Sequence, residues 1–272
     1  DVLEALIDGS TAAPAAANAV TLLFGAIDLE TFGDGVFLGI AATTEAVRNK
    51  PTDIAPRSML SELLCFSGDL ERADKQLDAA AQVDPESLVG ASMLRHLIRS
   101  ELSRREVFDE GRVPEFLTQP SEAQQKRIKA LMSIREGDVE AASRVLREAE
   151  EAESSVNGEY DGTSFEGFRD LDDVLGPTIE VYTATGKYYW LSSEQIVSLE
   201  FSSVEHVSDM LWRAAEIETV GDVSGRVHIP ALYHGSHESE DERIRIGRAT
   251  DWIQHSDATP VRGIGQREWL IG

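Results

Sequence analysis

The chain has 272 residues, 42% of them hydrophobic, and it carries a formal net charge of −24. No apolar run approaches the roughly 18 residues that a membrane-spanning helix needs, and no cluster of Lys and Arg suited to phosphate contacts occurs. We therefore expect neither membrane insertion nor nucleic-acid binding, because an acidic surface favours solubility and basic protein partners.

Cysteine usage and the N-terminal residues bear on the cellular compartment. The sole cysteine, Cys65, lies in an apolar helical stretch, so an internal disulfide is excluded and a core position is expected. The starting segment DVLEALIDGS is acidic, and we expect no basic secretory leader there. Both observations favour a reducing cytoplasm.

The N-terminal residues divide into an arm and the beginning of a helical region. Residues 1–18 contain a short apolar turn and the Ala/Pro-rich stretch TAAPAAANA, and they are predicted to form an arm or linker. A helical region is predicted over residues 19–153. Its first hairpin is expected to join helices at 19–32 and 36–50 through the turn Gly33-Asp34.

The clearest pattern lies at 58–86, where two helices are predicted on either side of Gly68-Asp69. Glycine can end the first helix in a left-handed conformation, and the aspartate can cap the next one. The second helix carries an apolar stripe at helical spacing: Leu70, Ala73, Leu77 and Ala80. Turn and stripe recur 69 residues later at Gly137-Asp138, where a helix is expected over 138–152. This separation is about twice the period of roughly 34 residues that is typical of tetratricopeptide-like hairpins.

A long helix is predicted between these hairpins, over 87–108. Its apolar residues are expected to face inward and its arginines outward: Leu88, Ala91, Leu94, Leu97, Ile98, Leu102 and Phe108 inward, and Arg95, Arg99, Arg104 and Arg105 outward. Residues 111–120 are predicted as a loop whose apolar side chains pack onto the helices. Ser121 and Gln124 have capping-box spacing, which predicts a helix from 121 to about 135.

From residue 154 the sequence becomes rich in Gly, Asp and aromatic residues. Segments with β-branched and aromatic content predict strands at 187–191, 196–201, 215–220 and 226–233, and a last short strand is expected at 268–271. A short helix is expected at 207–212. Residues 240–254 favour neither helix nor strand. Helices followed by strands predict an α+β protein, with tetratricopeptide-like helical hairpins (19–153) before a β-rich domain (154–272) that is a small sheet or a partial barrel.

Several motifs, taken together in their order and spacing, resemble one protein family. They are LLCFSGDLERADKQLDAAAQVDPE and VFDEGRVPEFL in the helical part, and LGP, KYYWLSSEQIVSLEF, LWRAAEI, IPALYHGS, RATDW and GQR in the β-rich part. Over about residues 33–272 the chain is similar to the ImpE/TagJ family of type VI secretion accessory proteins. The resemblance implies a cytoplasmic, non-enzymatic adaptor. It also implies binding to a helical segment near the N-terminus of the small contractile-sheath subunit, and a link to the sheath-recycling ATPase.

Enzyme chemistry in the β-rich part is the alternative hypothesis. His228, His234 and His237 lie within ten residues, but their spacing matches no closed zinc pattern. The adjacent carboxylates Asp172-Asp173 are expected to cap or form a turn. No nucleophile elbow, P-loop or dinucleotide fingerprint occurs, so no catalytic, cofactor-binding or metal-binding residue is assigned. The alternatives are an uncharacterised hydrolase or metal-dependent enzyme using His228, His234 and Arg248, or a generic helical-repeat scaffold.

Seven residues of the β-rich part are predicted to contact a protein partner: Tyr188, Tyr189, Trp190, Arg248, Asp251, Trp252 and Arg267. The aromatic run alternates along a predicted strand, so at least one ring is expected to face outward and could anchor an interface. Arg248 and Asp251 would share a face if their stretch were helical. Together with Arg267 they are alternatively expected to form a structural polar network.

Overall fold

The computed structural model describes residues 36–84, 88–204, 206–256 and 259–272. Its helices are α1 (Val36–Asn49), α2 (Ile54–Phe66), α3 (Leu70–Val83), α4 (Leu88–Arg105), α5 (Glu122–Arg135), α6 (Val139–Glu151) and α7 (Glu242–Arg245). Its strands are β1 (Asn157–Tyr160), β2 (Thr163–Glu166), β3 (Phe168–Asp170), β4 (Thr178–Thr183), β5 (Tyr188–Ser192), β6 (Ile196–Phe201), β7 (Trp212–Thr219), β8 (Ser224–Pro230), β9 (Thr250–Ile253), β10 (Arg262–Gly265) and β11 (Trp269–Ile271). Helices followed by a β-rich part confirm the predicted α+β fold. The predicted arm at 1–18, the helix at 19–32 and the turn Gly33-Asp34 lie outside the described residues.

Two helical hairpins, α2/α3 and α5/α6, are built on the same turn. Gly68 and Gly137 adopt φ angles of +77° and +78°, a left-handed conformation that favours glycine. Asp69 and Asp138 then cap α3 and α6 by accepting backbone N–H groups at 3.2 and 2.9 Å. The predicted apolar stripe of α3 is at most 3% exposed: Leu70, Ala73, Leu77 and Ala80. Within the described ranges, no helix is long and apolar enough to cross a membrane.

Helix α4 continues into a π-helical turn (Glu106–Glu110), and together they account for the long helix predicted there. The predicted orientation is wrong at two positions, because Leu102 is 45% exposed whereas Arg104 is 3% exposed. The reason is electrostatic. The inward face at this end of α4 carries charged residues whose partners lie in the sheet.

Residues 111–120 form the predicted loop, and α5 follows with the predicted capping box. Ser121 Oγ accepts the N–H of Gln124 at 3.2 Å, and the Ser121 N–H donates to Gln124 Oε1 at 3.0 Å. Two apolar residues of the loop pack inward as expected and two do not: Pro114 and Phe116 inward, Val113 (57% exposed) and Leu117 (39% exposed) outward.

The central sheet is antiparallel and has the strand order β5-β4-β8-β7-β6. At the β5 edge, the Glu115 N–H donates to the Tyr188 carbonyl and the Trp190 N–H donates to the Glu115 carbonyl, both at 3.0 Å. The 111–120 loop thus covers that edge, and β6 forms the other one. Three two-stranded sheets, β1-β2, β3-β11 and β9-β10, flank the central sheet. Among the described strands β5 and β6 do not pair, so this sheet is open and does not form a barrel.

Each face of the central sheet packs into a different core. The larger core lies between sheet and helices and contains residues of both, such as Leu97 of α4 and Trp190 of β5. The smaller core lies on the opposite face around Val181 and Ile217, with rings of β3 and β11 packed against it. The helical and β-rich parts therefore share a core, and the domain division after residue 153 stays a prediction.

Candidate functional site

A buried chain of charged side chains joins α4 to the β-rich part. Arg104 of α4 donates from Nε and Nη2 to the two carboxylate oxygens of Glu180 on β4, at 2.8 and 3.0 Å. Arg267, which precedes β11, also donates to Glu180, and its Nε lies 2.9 Å from Oδ2 of Asp170 on β3. These four side chains, the charge network, are at most 4% exposed. Paired Arg–carboxylate contacts fix the relative position of the segments that carry them.

Aromatic rings of the sheet supply further hydrogen bonds to the buried carboxylates. The Tyr188 hydroxyl donates to Glu180 and accepts the indole N–H of Trp190. Glu101 of α4 accepts from two other rings: the Tyr182 hydroxyl, and Trp212 Nε1 at 3.3 Å. Buried polar groups are nearly always hydrogen-bonded, because an unpaired one is costly. The rings that face the helices are therefore bonded to buried carboxylates and do not form a free aromatic surface.

The two carboxylates of the charge network have opposite pKa shifts. Burial tends to raise the pKa of Glu180, but Arg104 and Arg267 outweigh burial and hold that pKa at about 2. Burial raises the pKa of Asp170 to about 7, since the lowering effect of Arg267 is opposed by the nearby Asp172 carboxylate. Glu180 is thus charged at neutral pH, whereas Asp170 exchanges its proton near neutrality.

A small cavity adjoins the network. It leaves about 30 Å³ for the centres of water molecules and is lined by residues that include Glu101, Arg105, Tyr233 and Arg245. A single buried water needs about 10–15 Å³ by this measure. The cavity therefore has room for about two or three waters, and it lies beside a network that holds segments together.

Three of the seven residues predicted to contact a partner lie in the interior. Tyr188 is 2% exposed, Trp190 is 0% exposed and the side chain of Arg267 is 4% exposed. The expectation of a structural polar network is therefore met by Arg267. In this conformation these three side chains are too deeply buried to contact a partner directly.

The other four lie at or near the surface. Tyr189 is half-buried against the smaller core, and Trp252 is half-buried with its ring centroid 5.7 Å from that of Tyr233. Arg248 and Asp251 are exposed. Their spacing does not place them on a helix face, because Asp251 belongs to strand β9. Contact of these residues with a partner stays a prediction.

The histidines of the metal hypothesis have separate environments. His228 is buried on β8. His234 stacks on Phe108 with ring centroids 4.6 Å apart, and its Nε2 lies 2.8 Å from Asp109. His237 packs against the turn between α2 and α3. In the part of the chain that the structure describes, no three His, Cys, Asp or Glu side chains are grouped to hold a metal ion.

Sequence patterns did not single out Arg104, Glu180 and Asp170 as site residues. The one available signal was a glutamate inside the otherwise β-branched and aromatic segment TIEVYT, whose residue types are typical of a strand. Asp172 and Asp173 are structural as expected. Asp172 accepts from Val174 N and Gly263 N at 2.9 and 3.0 Å.

Comparisons with known proteins agree with this architecture. A family model described as ImpE protein matches residues 162–272, which contain the central sheet. The type VI secretion system accessory component TagJ of Pseudomonas aeruginosa strain PAO1 is 31% identical over 214 residues, which make up 79% of this chain and 76% of that protein. The crystal structure of VPA1032 from Vibrio parahaemolyticus has a TM-score of 0.81 and 32% identity, covering 87% of this chain and 88% of that one. The similarity extends over helices and sheet alike, and the chain therefore belongs to the ImpE/TagJ family of type VI secretion accessory proteins.

Proposed function

We propose that this chain is a non-enzymatic, cytoplasmic adaptor of a type VI secretion system. Its tetratricopeptide-like helical part binds a helical segment near the N-terminus of the small sheath subunit, and the bound chain links the sheath to its recycling ATPase. Membership of a family of secretion accessory proteins supports this role. The observation that carries it is an apolar surface at the C-terminal ends of α4 and α5.

Three exposed apolar side chains define this helical surface: Leu102 (45%), Val113 (57%) and Met132 (48%). The segments that carry them are tied together. Arg112 of the loop donates to Ser103 Oγ at 3.1 Å, and Arg135 of α5 donates to the Val107 carbonyl at 3.1 Å. Exposed apolar residues on packed helices suit the apolar stripe of an amphipathic partner helix.

Acidic side chains flank the helical surface. Glu106, Asp109 and Glu110 lie in the π-helical turn, and Glu136 follows α5; each is exposed or half-exposed. Glu106 is paired with Arg112 at 2.6 Å and Asp109 with His234 at 2.8 Å, so Glu110 and Glu136 are the residues offered to a basic partner. A partner helix with basic residues beside its apolar stripe is complementary to this arrangement. Charges at the rim of an interface act mainly on the association rate and its salt dependence, so the apolar contact supplies most of the affinity.

The charge network supports a non-enzymatic role. Its charged groups are paired with each other and with aromatic hydroxyl and indole groups, and the adjoining cavity is of water size. We propose Tyr189, Arg248, Asp251 and Trp252 as further partner contacts. Tyr188, Trp190 and Arg267 support that surface from the interior.

The test is a titration of the chain with a labelled peptide from the N-terminal helix of the cognate small sheath subunit. We expect saturable binding, and loss of binding when a proline interrupts the peptide helix. Leu102→Glu and Met132→Glu should each weaken binding about tenfold or more, because a charge then replaces buried apolar contact. Addition of the ATPase to the preformed complex should give a ternary complex on sedimentation.

Leu270→Glu is the matched control, because Leu270 is 50% exposed but lies on β11. It should leave the affinity within about twofold. Equal weakening by all three variants, or binding that survives the proline, would count against the helical surface. Absence of binding at high micromolar peptide would remove the sheath subunit as the partner.

A further inference from the structure

The two edges of the central sheet differ. The β5 edge is covered by the 111–120 loop, whereas β6 pairs with β7 alone. The Ser202 N–H donates to the Ala214 carbonyl, and ladder hydrogen bonds in an antiparallel pair alternate along the strand. The N–H and C=O groups of Leu199 and Phe201 therefore point away from β7. In the described part of the chain no other strand pairs with them.

An apolar patch lies at one end of this open edge. Its members are among the most exposed large hydrophobic residues described: Val220 (67%), Val197 (60%) and Val223 (53%). Backbone bonds join the segments that carry them: the Val220 N–H donates to the carbonyl of Gln195, two residues before Val197, and the Thr219 N–H donates to the Val223 carbonyl, at 2.8 and 2.9 Å. Val197 lies in the bulge between Ile196 and Ser198.

One face of the same two strands is acidic. Glu200 of β6 lies directly opposite Glu216 of β7, and Glu218 follows two residues later on the same face. All three glutamates are exposed. Like charges directly opposite each other destabilise a strand pair. Arg226 of β8 lies opposite Glu216 on its inner side, so the repulsion that a further cation would relieve is the repulsion at the edge, beside Glu200. The opposite face of β6 is already in use, since Leu199 and Phe201 pack on the smaller core.

Charge decides what can occupy the edge. Pairing of β6 with β6 of a second copy brings further glutamates beside these three, and a charged edge strand with a bulge is a known protection against such self-pairing. The N-terminal residues 1–35 of this chain contain six Asp or Glu and no Lys or Arg. Neither a second copy of β6 nor the segment 1–35 would relieve the repulsion between the glutamates. An extended segment with basic residues would relieve it.

We propose that the outer edge of β6 binds an extended, basic segment of a different protein, which adds to the central sheet as a sixth strand. Main-chain bonds to Leu199 and Phe201 provide the pairing. Alternate Lys or Arg residues lie over Glu200 and Glu216, and an apolar residue contacts the valine patch. This surface differs from the helical surface in position and in the kind of partner structure it accepts.

The experiment uses the full chain and a synthetic acetylated peptide, Val-Lys-Val-Lys-Val-Lys-Val, as the probe. In the free chain the amides of Leu199 and Phe201 should exchange with solvent faster than those of Glu200 and Ser202. Saturating peptide should slow the exchange of the Leu199 and Phe201 amides by at least about tenfold. The same peptide with alternate backbone nitrogens methylated on its pairing edge should not bind, because it has lost the donors of that edge.

Glu200→Lys and Glu216→Lys should each weaken the affinity for the peptide about fivefold or more. Glu140 is an exposed carboxylate in the first turn of α6, and Glu140→Lys should change that affinity less than about twofold. Unchanged unfolding temperatures establish that the variants are folded. The proposal is overturned by slow exchange of Leu199 and Phe201 in the free chain, by absence of binding at millimolar peptide, or by equal binding of the methylated peptide. It is also overturned if Glu140→Lys weakens binding as much as Glu200→Lys, which would indicate general attraction to an acidic protein.

Discussion

Arg104 and Glu180 are 76 residues apart in the chain and form a two-point ion pair between helix α4 and strand β4. Each is at most 3% exposed. A buried pair of this kind adds little net stability, because desolvation offsets attraction, but loss of one partner leaves an uncompensated charge. The pair therefore acts mainly by fixing how the helices sit on the sheet.

The replacement Glu180→Gln should be strongly destabilising. It leaves Arg104 and Arg267 buried without the carboxylate that both contact, and such losses cost about 3–5 kcal/mol. Urea denaturation measures the change in the free energy of unfolding. Glu218→Gln on the exposed face of β7 is the control and should stay within about 0.5 kcal/mol. Similar values for the two variants would show that Glu180 is not held as a buried anion.

Stability should depend on pH through Asp170. Burial raises its pKa from 3.8 to about 7 in the folded chain, so the folded state holds a proton that the unfolded state releases between these values. The free energy of unfolding should therefore fall as pH rises from about 4 to about 7, by up to about 1.4 kcal/mol per pH unit. Asp170→Asn should remove this slope. A wild-type slope that persists in the variant would place the titrating group elsewhere.

Stability should also depend on pH through Glu180, but in the opposite direction to Asp170. Although its burial favours the neutral form, Arg104 and Arg267 lower its pKa from 4.5 to about 2. The stability that comes from this shift is complete above pH 4.5 and is lost as pH falls towards 2. Calorimetric scans between pH 2 and pH 5 should show a falling midpoint in wild type and a shallower fall in a chain carrying Glu180→Gln. Parallel curves would contradict the assignment.

The two equivalent turn glycines should respond differently to alanine. Both have φ near +78°, but a Cβ on Gly68 would lie 2.1 Å from His237 Cδ2, whereas nothing lies within 4 Å of one on Gly137. Gly137→Ala should cost about 1–2 kcal/mol for the backbone alone. Gly68→Ala should cost roughly 1–3 kcal/mol more, because the imidazole must move. Adding His237→Ala to Gly68→Ala should recover much of that difference in denaturant titrations, and no recovery would mean that the ring is not the obstacle.

Cys65 should be unreactive in the native chain. It is 4% exposed, and burial together with Glu62 and Glu101 raises the pKa of its thiol well above the ordinary value. The thiolate is the reactive form, so labelling by a chromogenic disulfide should be slow without denaturant and fast in urea. Stoichiometric labelling within seconds under native conditions would contradict the core position.

The hairpins could be predicted because their determinants are local. A left-handed glycine, the aspartate after it and a stripe spaced by the helix repeat act within about 15 residues, and Gly68-Asp69 and Gly137-Asp138 show all of them. The capping box at Ser121 is local in the same way. Strand β6 was predicted over its observed residues because one of its faces is buried and its residue types favour strands.

The charge network could not be predicted from periodicity. An apolar pattern places Leu102 inside and Arg104 outside, and the structure reverses both because Glu180 and Glu101 make an arginine acceptable in the interior. Strand β4 was missed for a related reason. Its residues are buried on both faces, so its pattern lacks the alternation of a half-buried strand. The spacing of residues in the sequence does not predict that Arg267 contacts Asp170 and Glu180.

The order in which the charge network is synthesised constrains how the chain folds in the cell. Arg104 leaves the ribosome 76 residues before Glu180, and Arg267, which pairs with both Glu180 and Asp170, follows 87 residues after Glu180. At roughly 5–20 residues per second, the interval from Arg104 to Arg267 is on the order of ten seconds. Until Glu180 has been made, the inward face of α4 presents an unpaired guanidinium where a core should close. Until Arg267 has been made, Glu180 and Asp170 lack the cation that they share. The helical hairpins can form early, but the buried charges that join them to the sheet are complete only once Arg267 has been made, so a nascent chain stalled before residue 267 should be a substrate for chaperones or proteases.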